Sequence, residues 1–218
     1  MMPPAPLKVR VLAATAREPA PPRRAVVRAL AFEWTTAVAV TLGIFFTIGG
    51  PHAAERPVSF VAATLAGWVA LALAATVGVA RRGTMLGRSR TALILLSLAL
   101  PVALIGWHCL WLSSWPGTFG PVPLARGVVC MVLTFSMGAV LFAAFARSRR
   151  DSDPVHPAAT GAAAGAMAGA WASVLIDLHC DSAELLHVTI GHVLPVVLLA
   201  AVGAVLGGRV IGVRPDTS

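Results

Sequence analysis

Six apolar stretches, each about as long as the roughly 20 residues a helix needs to cross a bilayer core of about 30 Å, constrain what this chain can become. They run near Leu30–Ile48, Val58–Ala80, Thr91–Leu112, Gly127–Ala146, Ala158–Leu178 and Leu185–Val205. The gaps carry turn or charge signals: Gly49-Gly50-Pro51, Arg81-Arg82-Gly83, Trp115-Pro116-Gly117, Arg147 to Pro157, and His179 to Glu184. Backbone polar groups in lipid must be satisfied within the protein, so only helices and closed barrels can span. A barrel requires strands of about ten residues with alternating polarity, whereas these runs are continuously apolar. Composition points the same way: 57% of the 218 residues are hydrophobic and 12% charged, too few charges to cover a water-soluble fold. The expected fold is all-α, a polytopic membrane protein of six transmembrane helices with short loops. It divides into a tail (residues 1–28), a bundle (29–206) and a second tail (207–218). The first span is expected to stay in place, because Glu33 interrupts its start and a long segment precedes it, unlike a cleaved signal peptide.

A net charge of +8 would ordinarily raise the question of nucleic acid. The placement of the charges answers it: 15 of the 17 Lys and Arg fall on one side of the six-span topology, leaving only Arg56 and Arg126 opposite. Positive residues in short loops stay cytoplasmic, so both termini are expected in the cytoplasm. The basic excess then orients the chain in its lipid bilayer, and no direct nucleic-acid contact is expected.

Short loops leave no room for a soluble catalytic domain. Outside the membrane the largest piece is the N-terminal tail, where Glu18-Pro19-Ala20-Pro21-Pro22-Arg23-Arg24 enforces an extended path. Two readings fit it: a basic anchor on anionic lipid, or a docking segment for a cytoplasmic partner. On the outer side the chemistry is denser. All three cysteines and five of the six histidines fall in that half. An odd cysteine count without a CxxC excludes a dense disulfide framework and a zinc ribbon. Cys130 and Cys180 lie at similar depth on consecutive antiparallel spans, within reach of the Cα separation of about 5.5 Å that a disulfide requires. Alternatively Cys130, Cys180 and His187 are candidates for a soft metal ion. In a regular α-helix His187 and His192 would stand about 140° apart, off the one-face spacing of helical metal sites. A third reading makes the cysteines small buried residues and the histidines interfacial. The residues alone leave these three open. Asp177 and His179 belong to the same rim, and an intramembrane acid is a functional candidate by default.

Other features read as architecture. Asp181-Ser182-Ala183-Glu184 has capping-box spacing and is expected to start the sixth helix. Gly161, Gly165 and Gly169 make a groove for close helix approach. Trp107, Trp111 and Trp115 face one way as an interfacial anchor, with Cys109 packed among them. Pro101 and Pro195 should kink their helices and free the carbonyl four residues earlier.

From residue 147 onward the order of motifs is informative: Arg149-Arg150-Asp151-Ser152-Asp153-Pro154-Val155-His156-Pro157, the Ala/Gly run to Gly169, Leu178-His179-Cys180, and His187-x-x-x-Gly191-His192. With six spans, a cytoplasmic tail and a cysteine opening the fourth span, the chain resembles the NrsF family of membrane anti-sigma factors over essentially its whole length. The resemblance implies a negative regulator of an extracytoplasmic-function sigma factor, not an enzyme, with no cofactor. The region around Glu18 and Pro19, with Arg23 and Arg24, would face the sigma factor. Cys130 and Cys180 would take part in sensing, with His179, His187, His192 and Asp177 around them. Cys180-Asp181 replaces the more usual Cys-Pro, and Cys109 is additional. The signal implied is metal, oxidant or singlet oxygen. The rival reading is a small transporter or a quinone-linked thiol oxidoreductase using the same Cys and His; neither internal repeats nor a CxxC supports it.

The topology is directly testable. Alkaline-phosphatase fusions at Gly117 should be active and those at Gly83 inactive; the reverse pattern overturns the outer placement of every cysteine.

Overall fold

The computed structural model describes residues 22–52, 56–80, 89–115, 119–150 and 155–212. Among them there are six helical spans of 21 to 26 residues and no strand. The spans comprise α1 (Arg23–Thr47), α2 (Val58–Ala80), α3 (Arg90–Leu112), α4 (Leu124–Ser148) and α5 (Pro157–His179). The sixth consists of a single turn, α6 (Leu185–Val188), a π-helical turn (Thr189–Val193) and α7 (Leu194–Val210). Glu18, Pro19, Arg81, Arg82 and Arg88 lie outside the described residues.

α1 begins seven residues before its apolar stretch, at Arg23 directly after the Pro21-Pro22 pair. Hydropathy marks where a helix enters lipid, and helical hydrogen bonding extends beyond that point; the second proline, held at φ −59° and ψ 139°, is what stops it. α4 likewise starts at Leu124, so Cys130 stands nearly two turns inside it rather than one. α3 is capped by Ser89, whose Oγ accepts from the Ala92 N–H at 3.2 Å.

Where lipid removes the hydrophobic drive between helices, close packing takes its place, and small residues dominate the centre of the bundle beside a few large ones such as Phe60, Trp68 and Met137. Phe32, Val58, Leu98 and Val102 are exposed on the outside of the bundle. α5 is the central helix: it packs against α2, α3, α4 and α7, and its Ala and Gly residues are almost all buried. α1 is peripheral and attaches mainly to α4. The expected groove on α5 is present, and α7 supplies a second set of glycines that meets it. A methyl group at Gly161 would collide with the Gly203 carbonyl, and one at Gly165 with the Leu199 carbonyl. At Gly169 it would lie 2.7 Å from the Val196 Cα, and at Gly207 it would strike the Pro157 carbonyl. Trp107 is part of the packing as well as the interface, since its Nε1 donates to the Ala63 carbonyl at 3.0 Å across Gly67 of α2.

The α5–α7 contact sets up a contrast between glycines. Gly165→Val should lower stability by about 3 kcal/mol or more through overpacking, a drop of roughly 6–12 °C in the midpoint of thermal aggregation in detergent. Gly106→Ala in α3, where an added methyl meets nothing within 4 Å, should be neutral or slightly stabilising. Equal behaviour of the two would remove the claim that backbone contact holds the bundle.

Candidate functional site

Three connections gather at one end of the bundle: the α1–α2 turn, the α3–α4 loop and the residues between α5 and α6. Arg126 pairs with Asp181 at 3.7 Å, and His108 of α3 donates from Nε2 to the Ala183 carbonyl at 2.9 Å. The expected cap is shifted: Glu184, not Asp181, is the N-cap of α6, accepting from the Leu186 and His187 N–H groups at 2.9 and 2.6 Å. Ser182 in turn accepts from the Glu184 N–H. The reason is reach, because Asp181 lies ahead of the turn and faces Arg126 at the surface.

Beneath this rim Cys130, Cys180, His187 and His192 converge. All four are buried, and their donor atoms lie within 4.8 Å of one another. Cys180 Sγ and His187 Nε2 share a hydrogen bond at 3.0 Å. The rings of His187 and His192 meet edge to face, with centroids 5.5 Å apart. The expectation that these two histidines diverge is therefore corrected. Its premise was a regular α-helix, whereas the chain between them forms a π turn, whose i to i+5 bonding brings residues five apart onto one face.

The π turn has a visible cause and visible support. Pro195 has no N–H to offer the Gly191 carbonyl. Thr134 of α4 takes that carbonyl, donating from Oγ1 at 2.9 Å. Ser173 of α5 donates to the His192 carbonyl at 2.6 Å. Side chains of neighbouring helices thus reach the carbonyls of the turn, including the one Pro195 leaves without a partner, as the low-dielectric interior requires. Gly191 is small for a further reason: a methyl there would stand 2.9 Å from the Cys130 Cβ.

The three cysteines are free thiols, with Cys109 half-buried in α3 and no member of the cluster. The Cys180 thiol is drawn below its ordinary range, first by the adjacent Cys130 thiol, against the effect of burial, and further by the hydrogen-bonded His187. His192 is fully enclosed, and neither of its ring nitrogens has a hydrogen-bond partner. Nδ1 of His187 is also buried without one. A cavity of about 450 Å³ lined by His52, Arg126, Cys130, His179, Cys180 and His187 leads to the thiols.

Asp177 and His179 are beside this cluster and outside it. Asp177 is buried and paired with Arg56, whose Nη1 donates to Oδ1 at 3.0 Å and whose Nη2 donates to the Asp177 carbonyl. Reading each span alone missed Arg56 as the partner, since the pairing joins residues 121 apart in sequence. His179 donates from Nδ1 to the Gly50 carbonyl at 2.8 Å, and the His52 N–H donates to the Leu178 carbonyl at 3.0 Å. Arg24 is exposed near the start of α1, at the opposite end of the bundle.

A family model described as NrsF, negative regulator of sigma F, matches residues 12–212. The chain belongs to the NrsF family. Comparison with curated proteins and with solved structures returns no match. Membership makes the chain a negative regulator of a sigma factor, carried on six helices long and apolar enough to cross a membrane.

The buried ion pair yields a test. Breaking a buried pair from one side typically costs about 3–5 kcal/mol, because the remaining charge is left uncompensated. Arg56→Ala and Asp177→Ala should each lower thermal stability strongly, while the double variant should be more stable than either. Additive losses would show that the two residues act separately.

Proposed function

We propose that the protein is a bacterial inner-membrane anti-sigma factor that holds an extracytoplasmic-function sigma factor through its N-terminal tail and releases it in a stress response. In this reading both termini are cytoplasmic, the cysteine end faces outward, and the chain regulates rather than catalyses. The observation that carries it is the family match, which begins at residue 12, within the segment preceding α1. The segment offers Glu18, Pro19, Arg23 and Arg24 as partner contacts.

The signal enters at Cys130 and Cys180, aided by the surrounding histidines. Support comes from how α1, which continues from the tail, is attached. One end meets the residues next to Cys180 through His179 to Gly50 and His52 to Leu178. Gly49 and Gly50, at φ 114° and 68°, make that turn tight. Near its other end Glu33 accepts from Arg147 of α4 at 2.8 Å, and α4 carries Cys130. A change in the separation of the two thiols moves these attachment points relative to each other. Release of the partner then requires two packings of the bundle that differ in affinity for it.

Deleting residues 1–22 should derepress the regulon to the level of a strain lacking the protein, while the truncated chain stays in the membrane. Cys130→Ser and Cys180→Ser, singly and together, should block induction and keep basal repression, with Cys109→Ser behaving as wild type. Full repression by the truncated chain would move the docking site to the basic loops around Arg82 or Arg149. Normal induction in the double cysteine variant would return the thiols to the core.

A further inference from the structure

We infer that Cys130, Cys180, His187 and His192 form a tetrahedral two-sulfur, two-nitrogen site for a divalent d¹⁰ cation, zinc or its congener cadmium. As a binding site it stands on the geometry alone; as the signal input it rests on the function proposed above.

Four observations carry the assignment. First, the donor set matches a soft to borderline cation of tetrahedral preference. With metal–sulfur and metal–nitrogen bonds of about 2.3 and 2.0 Å, the donors of such a site stand roughly 3.3–3.8 Å apart. Here they already lie within 4.8 Å of one another, so closure requires movements of about 1 Å.

Second, His192 is wholly enclosed and both its ring nitrogens lack partners. A buried polar group without a hydrogen bond is costly, and coordination removes that penalty at one nitrogen. Third, the charge balances. Two thiols give up their protons on binding, and two thiolates with two neutral imidazoles leave a divalent site with no net charge. A monovalent ion would leave one negative charge and a trivalent ion one positive charge in the same low-dielectric interior. Fourth, there is an entry path: the cavity of about 450 Å³ reaches both cysteines and His187.

The outer shell sets the strength. Metal-bound histidines ordinarily donate their second N–H to a protein acceptor, and losing that support weakens affinity about 10–100-fold. Neither His187 Nδ1 nor either nitrogen of His192 has such an acceptor. Binding should therefore be exchangeable, as a sensor requires, and weaker than at a structural zinc site.

The test uses the full chain in detergent, reduced and stripped with a chelator, with Co²⁺ as the optical probe. One equivalent per chain should produce the intense d–d bands of a tetrahedral site together with thiolate-to-cobalt charge transfer, and Zn²⁺ should displace it. Cys130→Ser or Cys180→Ser should weaken the charge-transfer band and reduce affinity at least ten-fold. His192→Gln should reduce affinity similarly, and Cys109→Ser should titrate as wild type. Cadmium NMR of the wild-type chain reads the donor set without any substitution, so a variant that fails to fold leaves the question decidable. Octahedral Co²⁺ spectra, charge transfer that survives loss of both cysteines, or a cadmium resonance lacking two nitrogen donors would each overturn the assignment. None of these readouts involves the sigma factor. A chain that binds no metal yet still loses induction in the Cys130→Ser/Cys180→Ser variant keeps the thiol-switch reading and loses the metal site.

Discussion

The backbone of α5 lies directly against that of α7, and the arrangement of the cysteine end depends on that contact. Lipid tails are as apolar as leucine, so helices in a membrane associate through close packing and polar contacts between them. Gly161, Gly165 and Gly169 on one side, with Gly203 and Gly207 on the other, bring carbonyls of each helix to where a side chain would stand. With α5 and α7 so close, Ser173 reaches the carbonyl of His192, one turn beyond the glycine series. Thr134 reaches the neighbouring carbonyl from α4. Local unwinding of the sixth span therefore occurs where two hydroxyls are available to absorb it.

The π turn links packing to chemistry. Inserting one extra residue per turn rotates everything that follows, and here it rotates His192 onto the face that already holds His187. An α-helical sixth span would direct one of the two away from the cysteines. Pro195 disfavours the regular alternative by withholding an N–H, and Gly191 lets Cys130 approach the distorted segment. The same short stretch thus specifies the distortion, its polar support and its steric clearance.

Much of this was legible in the sequence, and the parts that were not share a cause. Six spans followed from hydrophobic length, and the α5 groove from the four-residue spacing of its glycines. Cys130 and Cys180 could be brought together by counting depth along antiparallel helices. Position around a helix was harder, because it depends on helical pitch. The assumed 3.6 residues per turn separated His187 from His192, and only Pro195 hinted at a departure. Arg56 was read as one of two cations on the sparse side, although it is the buried partner of Asp177. Helix ends moved by several residues where polar turns extended the helix beyond the apolar stretch, as at Arg23. Gly203 and Gly207 carried the same four-residue spacing as the α5 glycines and would have revealed the facing half of the groove.

Magnitude decides which contacts could drive a switch in this bundle and which could only transmit it. Moving a two-state equilibrium from 1:99 to 99:1 takes about 5.5 kcal/mol of differential binding. The exposed pair of Arg126 with Asp181 belongs to a class worth about 0–1 kcal/mol. Hydrogen bonds between membrane helices, the class of Thr134 to Gly191, average about 0.6 kcal/mol. A disulfide supplies about 2–4 kcal/mol, short of a full shift unless the resting bias is smaller. Tetrahedral coordination in small zinc domains reaches apparent values of about 10–16 kcal/mol, so at the site inferred above a packing that holds all four donors in place would need to capture only about half of that over one that does not. The contacts of His179 with Gly50 and of Glu33 with Arg147 are then of the right size to carry a displacement to α1 without themselves choosing the state. In the function proposed above, the decision would then lie in the buried cluster and the readout in the helix that leads to the tail.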